Sequence, residues 1–210
     1  MPDNSALSAL VVRNIGDIEA ALKHAQEVID ERLFQDIGDA VAARFANSDW
    51  FISAEVEDED IWFSPGNWRP ADVLPEDAPY WFHLEGRDGP GGGEEYSWLA
   101  AFLAAGPEGA SVALVLNGTT FKSAKRWKAL AKSNTDLIAR LIDAGFRQND
   151  AQRLYLPLHL DAEVLAAGFE DDDLTAALNP LQDALDVIEA ARQDLDALIA
   201  YDRQEVDAVL

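Results

Sequence analysis

Few residues in this 210-residue chain are of a type that does chemistry. It holds three histidines, His24, His83 and His159, and no cysteine, so thiolate nucleophiles, thiolate metal sites, iron–sulfur clusters and disulfides are excluded. His83 with Glu85, and His159 with Asp161, stand two residues apart, which on a strand puts an imidazole and a carboxylate on one side. Such a pair could move a proton or supply two ligands to a divalent metal. Glu55 and Glu57 would add carboxylates to a hydrolase or nuclease-like site of that kind. Neither an HExxH helix nor a three-histidine set accompanies them, so no catalytic residue, metal ligand or cofactor is assigned. Glu85-Gly86-Arg87 has an acidic-x-basic order, but arginine is a poor proton acceptor near neutral pH.

Two further segments have the composition of ligand loops without the spacing. Asp88 to Gly93 is glycine-rich and leads into a helix candidate, yet Glu94 and Glu95 would repel a phosphate there. Glu170-Asp171-Asp172-Asp173 lacks the alternating ligands and turn glycine of a calcium loop.

More residues point to binding. Alternation along the strand candidates places Phe51, Glu55, Glu57, Trp62, Trp81, His83, Glu85 and Tyr155 on one face, with Arg87, Arg153 and His159. Rings beside carboxylates suit a basic, partly apolar partner, because buried rings anchor an interface while charge sets encounter rate and register. A second surface is the segment Lys122, Lys125, Arg126, Lys128 and Lys132, which contains no acid. Lys125, Lys128 and Lys132 project away from the apolar stripe Trp127, Leu130, Leu137 and Leu141. Cations in a first turn oppose the helix dipole by about 0.3–1 kcal/mol each. Docking on the acidic C-terminal region, of the same or a neighbouring chain, is the favoured account of the basic stripe.

The charge agrees with a cationic partner. Thirty-nine acids against 16 Lys and Arg give a formal charge of -23, and the stretch from Asp161 onward holds 14 acids against Arg192 and Arg203. That charge opposes nucleic acid and anionic membranes. No apolar run approaches the roughly 18 residues of a membrane span, and no basic-then-apolar leader opens the sequence, so a cytoplasmic protein is expected.

Elements to position these residues follow from periodicity. Ile18, Leu22, Ala25 and Ile29, then Leu33, Ile37, Val41 and Phe45, predict one bent helix or two between about Asp17 and Ala46, with a drift in phase near Gly38. Period two predicts strands at Trp50–Val56, Ile61–Phe63, Tyr80–Arg87, Val112–Leu116 and Leu154–Leu160, with Pro157 at an edge or bulge. Asn117-Gly118 is a hairpin-turn signal that would open another strand at Thr119 to Phe121. Helices are predicted at Glu94–Ala105, from Ser123 to Ala144, and from Asn179 on, the last through Leu181, Leu185, Ile188, Leu195 and Ile199. That last stripe fits packing on the chain's own sheet. It also has the heptads of a homodimer seam.

The expectation is one α+β domain over 1–210: a helical region 1–48, a mostly antiparallel sheet of about five strands with helices on one face over 49–160, and an acidic helical region 161–210. The leading reading is a nonenzymatic module binding a basic protein, as an inhibitor, antitoxin, immunity protein or nucleic-acid mimic would. A metal-dependent enzyme and a salt-adapted subunit of a larger assembly are the alternatives.

Overall fold

The period-two segments form a single antiparallel sheet. The structure, a computed structural model, describes residues 5–87, 97–105, 111–120 and 123–207. Among them six strands, β1 (Trp50–Glu55), β2 (Asp60–Pro65), β3 (Tyr80–Arg87), β4 (Ser111–Gly118), β5 (Arg147–Gln148) and β6 (Leu154–Leu158), lie in the order β1-β2-β3-β4-β6-β5. Every neighbouring pair is antiparallel. The strand beyond the expected five is β5, two residues too short to show a period. It covers Leu154 and Tyr155 only, so Pro157, paired with Ala113 on the other side, sits at a local edge where no missing N–H matters.

Alternation sorts the sheet into two faces. Ile61, Phe63, Tyr80, Phe82, Leu84, Val112, Leu114, Leu116, Leu154, Leu156 and Leu158 are at most 4% exposed and belong to one hydrophobic cluster. The helices α2 (Asp30–Phe45), α3 (Trp98–Phe102), α4 (Ala124–Ser133), α5 (Thr135–Asp143), α6 (Ala162–Asp171), α7 (Asn179–Ala190) and α8 (Arg192–Asp207) all bury apolar side chains in that same cluster. The described helices that pack on the sheet therefore share one face, the layering of an α+β fold. Close approach depends on two glycines. A Cβ at Gly38 would stand 3.0 Å from that of Ala54, so α2 lies hard on β1, and Gly86 leaves room for the Trp98 ring 3.3 Å away.

Helix boundaries differ from the expected ones at places where a side chain or cap intervenes. The helix expected from Ser123 to Ala144 breaks at Asn134 (φ -129°), whose amide donates to the Leu130 carbonyl at 3.0 Å. The C-terminal helix breaks at Ala191, beside the Arg192 that interrupts its stripe, into α7 and α8. Leu181, Leu185, Ile188, Leu195 and Ile199 are at most 2% exposed inside this chain, so the stripe that a C-terminal dimer seam would need is already covered. Thr119 and Thr120 form a turn and not a strand; Phe121 lies outside the described residues. So do the glycine-rich stretch from Asp88 and the helix start at Glu94, leaving α3 as the described part of that helix.

The N-terminal region begins earlier than its periodicity predicts. Helix α1 (Ser5–His24) joins α2 through a π turn at Ala25–Ile29, and no residue of α1 is buried. A π turn holds one residue more than an α turn, so it rotates the following stripe by about 100°. That offset separates the stripe of α1 from the core-facing stripe of α2, although the sequence reads them as nearly continuous.

Candidate functional site

The face without helices carries Phe51 from β1, Trp62 from β2, Trp81, His83 and Glu85 from β3, and Tyr155 from β6, each half-buried among its neighbours. Registry brings them together: Trp62 pairs with both Ser53 and His83, His83 with Val115, and Val115 with Tyr155. The Phe51 and Trp62 ring centroids are 5.1 Å apart. Glu55 is exposed at the end of β1. Glu57 leaves the face, because the chain turns into a short 3-10 segment at Val56–Asp58, where its side chain is exposed. The side chain of Arg87 lies outside the described residues.

The polar groups on this face form a ladder from β2 through β3 and β4 to Arg153, just before β6. His83 Nε2 is 2.7 Å from Asp60 Oδ1 and Nδ1 is 3.5 Å from Glu85 Oε1. Glu85 also accepts from Asn117 Nδ2 at 2.6 Å and Arg153 Nη2 at 3.0 Å, while Arg153 Nη2 reaches Asn117 Oδ1 at 2.6 Å. Burial alone would raise the Glu85 pKa. Hydrogen bonds from His83 and Asn117, with the charge of Arg153, outweigh it and bring the carboxyl down to about 2. Burial likewise disfavours a charged His83 ring, but hydrogen bonds to Glu85 and Asp60 overcome it and the pKa is raised. The ladder alternates acid and base, Asp60, His83, Glu85, Arg153, and the Glu85 charge is paired with Arg153 within the face.

That alternation limits its chemistry. Both ring nitrogens of His83 are already engaged by carboxylates, and Glu85 is held by three donors, so a new ligand or proton acceptor must displace one of these contacts. His159 is exposed beyond the end of β6, and its expected partner Asp161 is the N-cap of α6, accepting from the Glu163 and Val164 amides at 2.9 and 3.0 Å. The Glu170–Asp173 run ends α6, with Asp172 bonded to Arg32 and Asp173 accepting from the Thr175 amide. Among the described residues no group of three or more His, Asp or Glu is placed to hold a metal.

One end of the face remains acidic and concave. Asp60, Trp62, Trp81, His83 and Thr119 meet Glu76, Asp77 and Ala78, from the turn before β3, around a groove of about 450 Å³. Even with His83 charged, its three carboxylates leave the groove net negative. Sequence reasoning missed Asp60, Glu76 and Asp77. Asp60 was legible, since it has the parity of Trp62; Glu76 and Asp77 sit in a proline-rich turn whose course no periodicity predicts.

The acidic C-terminal region behaves differently. Its carboxylates reach inward to arginines of the same chain: Asp172 to Arg32 at 2.9 Å, Asp186 and Glu189 to Arg44, and Asp194 to Arg140 at 2.9 Å. Asp196 accepts from the Trp68 indole at 2.6 Å and from Arg192 at 2.9 Å. Deepest is Asp202, 0% exposed, which accepts from Tyr80 Oη at 2.9 Å, Thr120 Oγ1 at 2.5 Å and Arg126 Nε at 3.0 Å. Burial pushes the Tyr80 hydroxyl up to about 12.

Arg126 is thus the member of the basic segment that docks on the acidic C-terminal region. Lys125, Lys128 and Lys132 are exposed, and Lys128 and Lys132 border a shallow groove with Ile138, Ile142 and Asp150; Lys122 lies outside the described residues. No helix among the described residues is long and apolar enough to cross a membrane. Compared with protein-family models, curated proteins and solved structures, the chain matches none of them.

Proposed function

We propose that the chain is an acidic interaction module that receives a basic protein on the helix-free face of its sheet. The observation carrying this reading is the groove in which Trp62 and Trp81 stand beside Asp60, Glu76 and Asp77. An arginine or lysine side chain over an indole face gains about 0.5–2 kcal/mol, and neighbouring carboxylates add attraction that a ring alone lacks. Phe51 and Tyr155 extend the apolar surface on either side. The net charge of -23 steers a cationic partner toward the molecule and repels acidic ones.

The test is titration of the full chain with an arginine-rich decapeptide and with its glutamate-rich counterpart, read by tryptophan fluorescence and calorimetry at low and high salt. Binding of the basic peptide is expected to weaken with salt and to fall about tenfold in Trp62→Ala and in Glu76→Gln/Asp77→Asn. Equal binding of the two peptides, or basic-peptide binding that ignores these substitutions, would overturn the reading.

A further inference from the structure

Among the described residues, the exposed large apolar side chains gather on α1. Leu7, Leu10, Val11, Ile15, Ile18 and Leu22 are between 37% and 58% exposed, and none of the helix is buried. At 100° per residue they fall within one stripe. Monomeric proteins rarely leave a contiguous apolar patch of more than a few hundred Å² in water. Six large aliphatic side chains in this state amount to several hundred Å², enough for the apolar centre of an interface whose rim is polar.

We infer that this stripe is the seam of a homodimer in which α1 packs antiparallel against α1 of a second copy. Two observations select a second copy. The first is spacing: Val11, Ile15, Ile18 and Leu22 stand at intervals of four, three and four, which read the same from either end. An antiparallel copy therefore places Val11 against Leu22 and Ile15 against Ile18, twice over, as the isologous contact of a two-fold dimer requires. The second is charge. Arg13 and Lys23 balance Asp17 and Glu19 within α1, in a chain whose formal charge is -23. Two such acidic bodies repel each other, and a neutral helix projecting from each is where they can meet. In this register Glu19 faces Asn14 and Lys23 faces Leu10, so no like charges are opposed. A membrane surface fits less well, since helices that lie on bilayers carry many Lys and Arg on the polar face and this one carries two.

The kink at Asn14 falls inside the seam: φ is -120°, and the side-chain amide donates to the Leu10 carbonyl at 2.8 Å. That bond keeps the polar group satisfied within its own helix. The π turn serves the same end, because it turns the stripe away from the core that α2 fills.

The inference does not rest on the proposed peptide site, and its test is separate. Sedimentation of the full chain over a concentration series is expected to show a dimer that Ile18→Asp/Leu22→Asp weakens on the order of 100-fold or more, through carboxylates forced into an apolar seam. At concentrations low enough for the natural chain to be monomeric, the melting temperatures of the two chains should agree, as both side chains are outside the core. Because the natural chain has no cysteine, Val11→Cys/Leu22→Cys should form a covalent dimer on oxidation while each single variant does not. Cross-linking by the single variants would mean a parallel pair and overturn the antiparallel seam. A chain that stays monomeric at every concentration, or that associates equally well as the Asp variant, would overturn the dimer; so would a monomer that co-floats with anionic vesicles.

Discussion

Two carboxylate clusters occupy opposite sides of the sheet and answer the same problem differently. On the helix side, Asp202 is wholly buried and takes donors from Tyr80, Thr120 and Arg126, three elements distant in sequence. On the other side, Glu85 keeps 25% of its side chain exposed and shares His83 of its own strand, Asn117 of the neighbouring β4 and Arg153 just before β6. Desolvation decides the contrast. A buried charge must be compensated completely, so the first cluster serves as a structural lock. A half-solvated one can be shared with water, and so with a ligand. Position on the sheet thus separates the acid that holds the fold together from acids available to a partner, a distinction that net charge alone conceals.

Breaking the buried cluster should have the largest effect. Asp202→Ala leaves Arg126 facing a cavity without its counter-charge and is expected to cost about 3–5 kcal/mol in urea unfolding. A loss below about 1 kcal/mol would mean that water already reaches the site. Glu85→Gln should cost less, about 1–2 kcal/mol, because solvent replaces part of what is lost. It should also lower the His83 pKa, measured by NMR titration, since the ring loses one of its two carboxylates.

The pH dependence sharpens the comparison further. The fold favours ionised Glu85, so the stability it contributes is complete above the ordinary value of 4.5 and fades as pH falls toward about 2. The fold favours protonated His83, so that contribution is complete below 6.5 and fades as pH rises through the elevated value. Urea midpoints measured across this range should drop at both ends; in Glu85→Gln the acid-side drop due to this carboxyl should be lost, while the other should shrink but persist through Asp60. Smallest of all, Lys128→Gln should stay within about 0.5 kcal/mol of the natural chain, as an exposed cation in mid-helix, away from caps and networks, does.

How much of this was readable depends on which force acts locally. Strands β1 to β4 and β6 declare themselves because one face is core and the other is not, and period two records that directly. The face holding Trp62, Trp81 and His83 follows from the same alternation. Helix α6 lies inside the helical region expected over 161–210, but its start went unread because Asp161 reads as the polar end of a strand, although a capping aspartate before an apolar run is also a helix-start signal. The early turns of α1 went unread because the stripe begins before any packed element gives it a reference. No local pattern points to Asp202, one acid among many, because its donors lie 76 to 122 residues away. The pairing of Glu85 with Arg153 needed strand order, since it joins β3 to the residue before β6 across β4.

The inward-reaching carboxylates of the C-terminal region also set the order of events during synthesis. Arg44 and Glu189 are 145 residues apart, and a ribosome adding about 5–20 residues per second leaves that arginine waiting roughly 7–30 s for its carboxylate. Helix α2 must meanwhile hold its apolar side against an incomplete sheet, and the ion pairs that join it to α7 can only be among the last contacts to close.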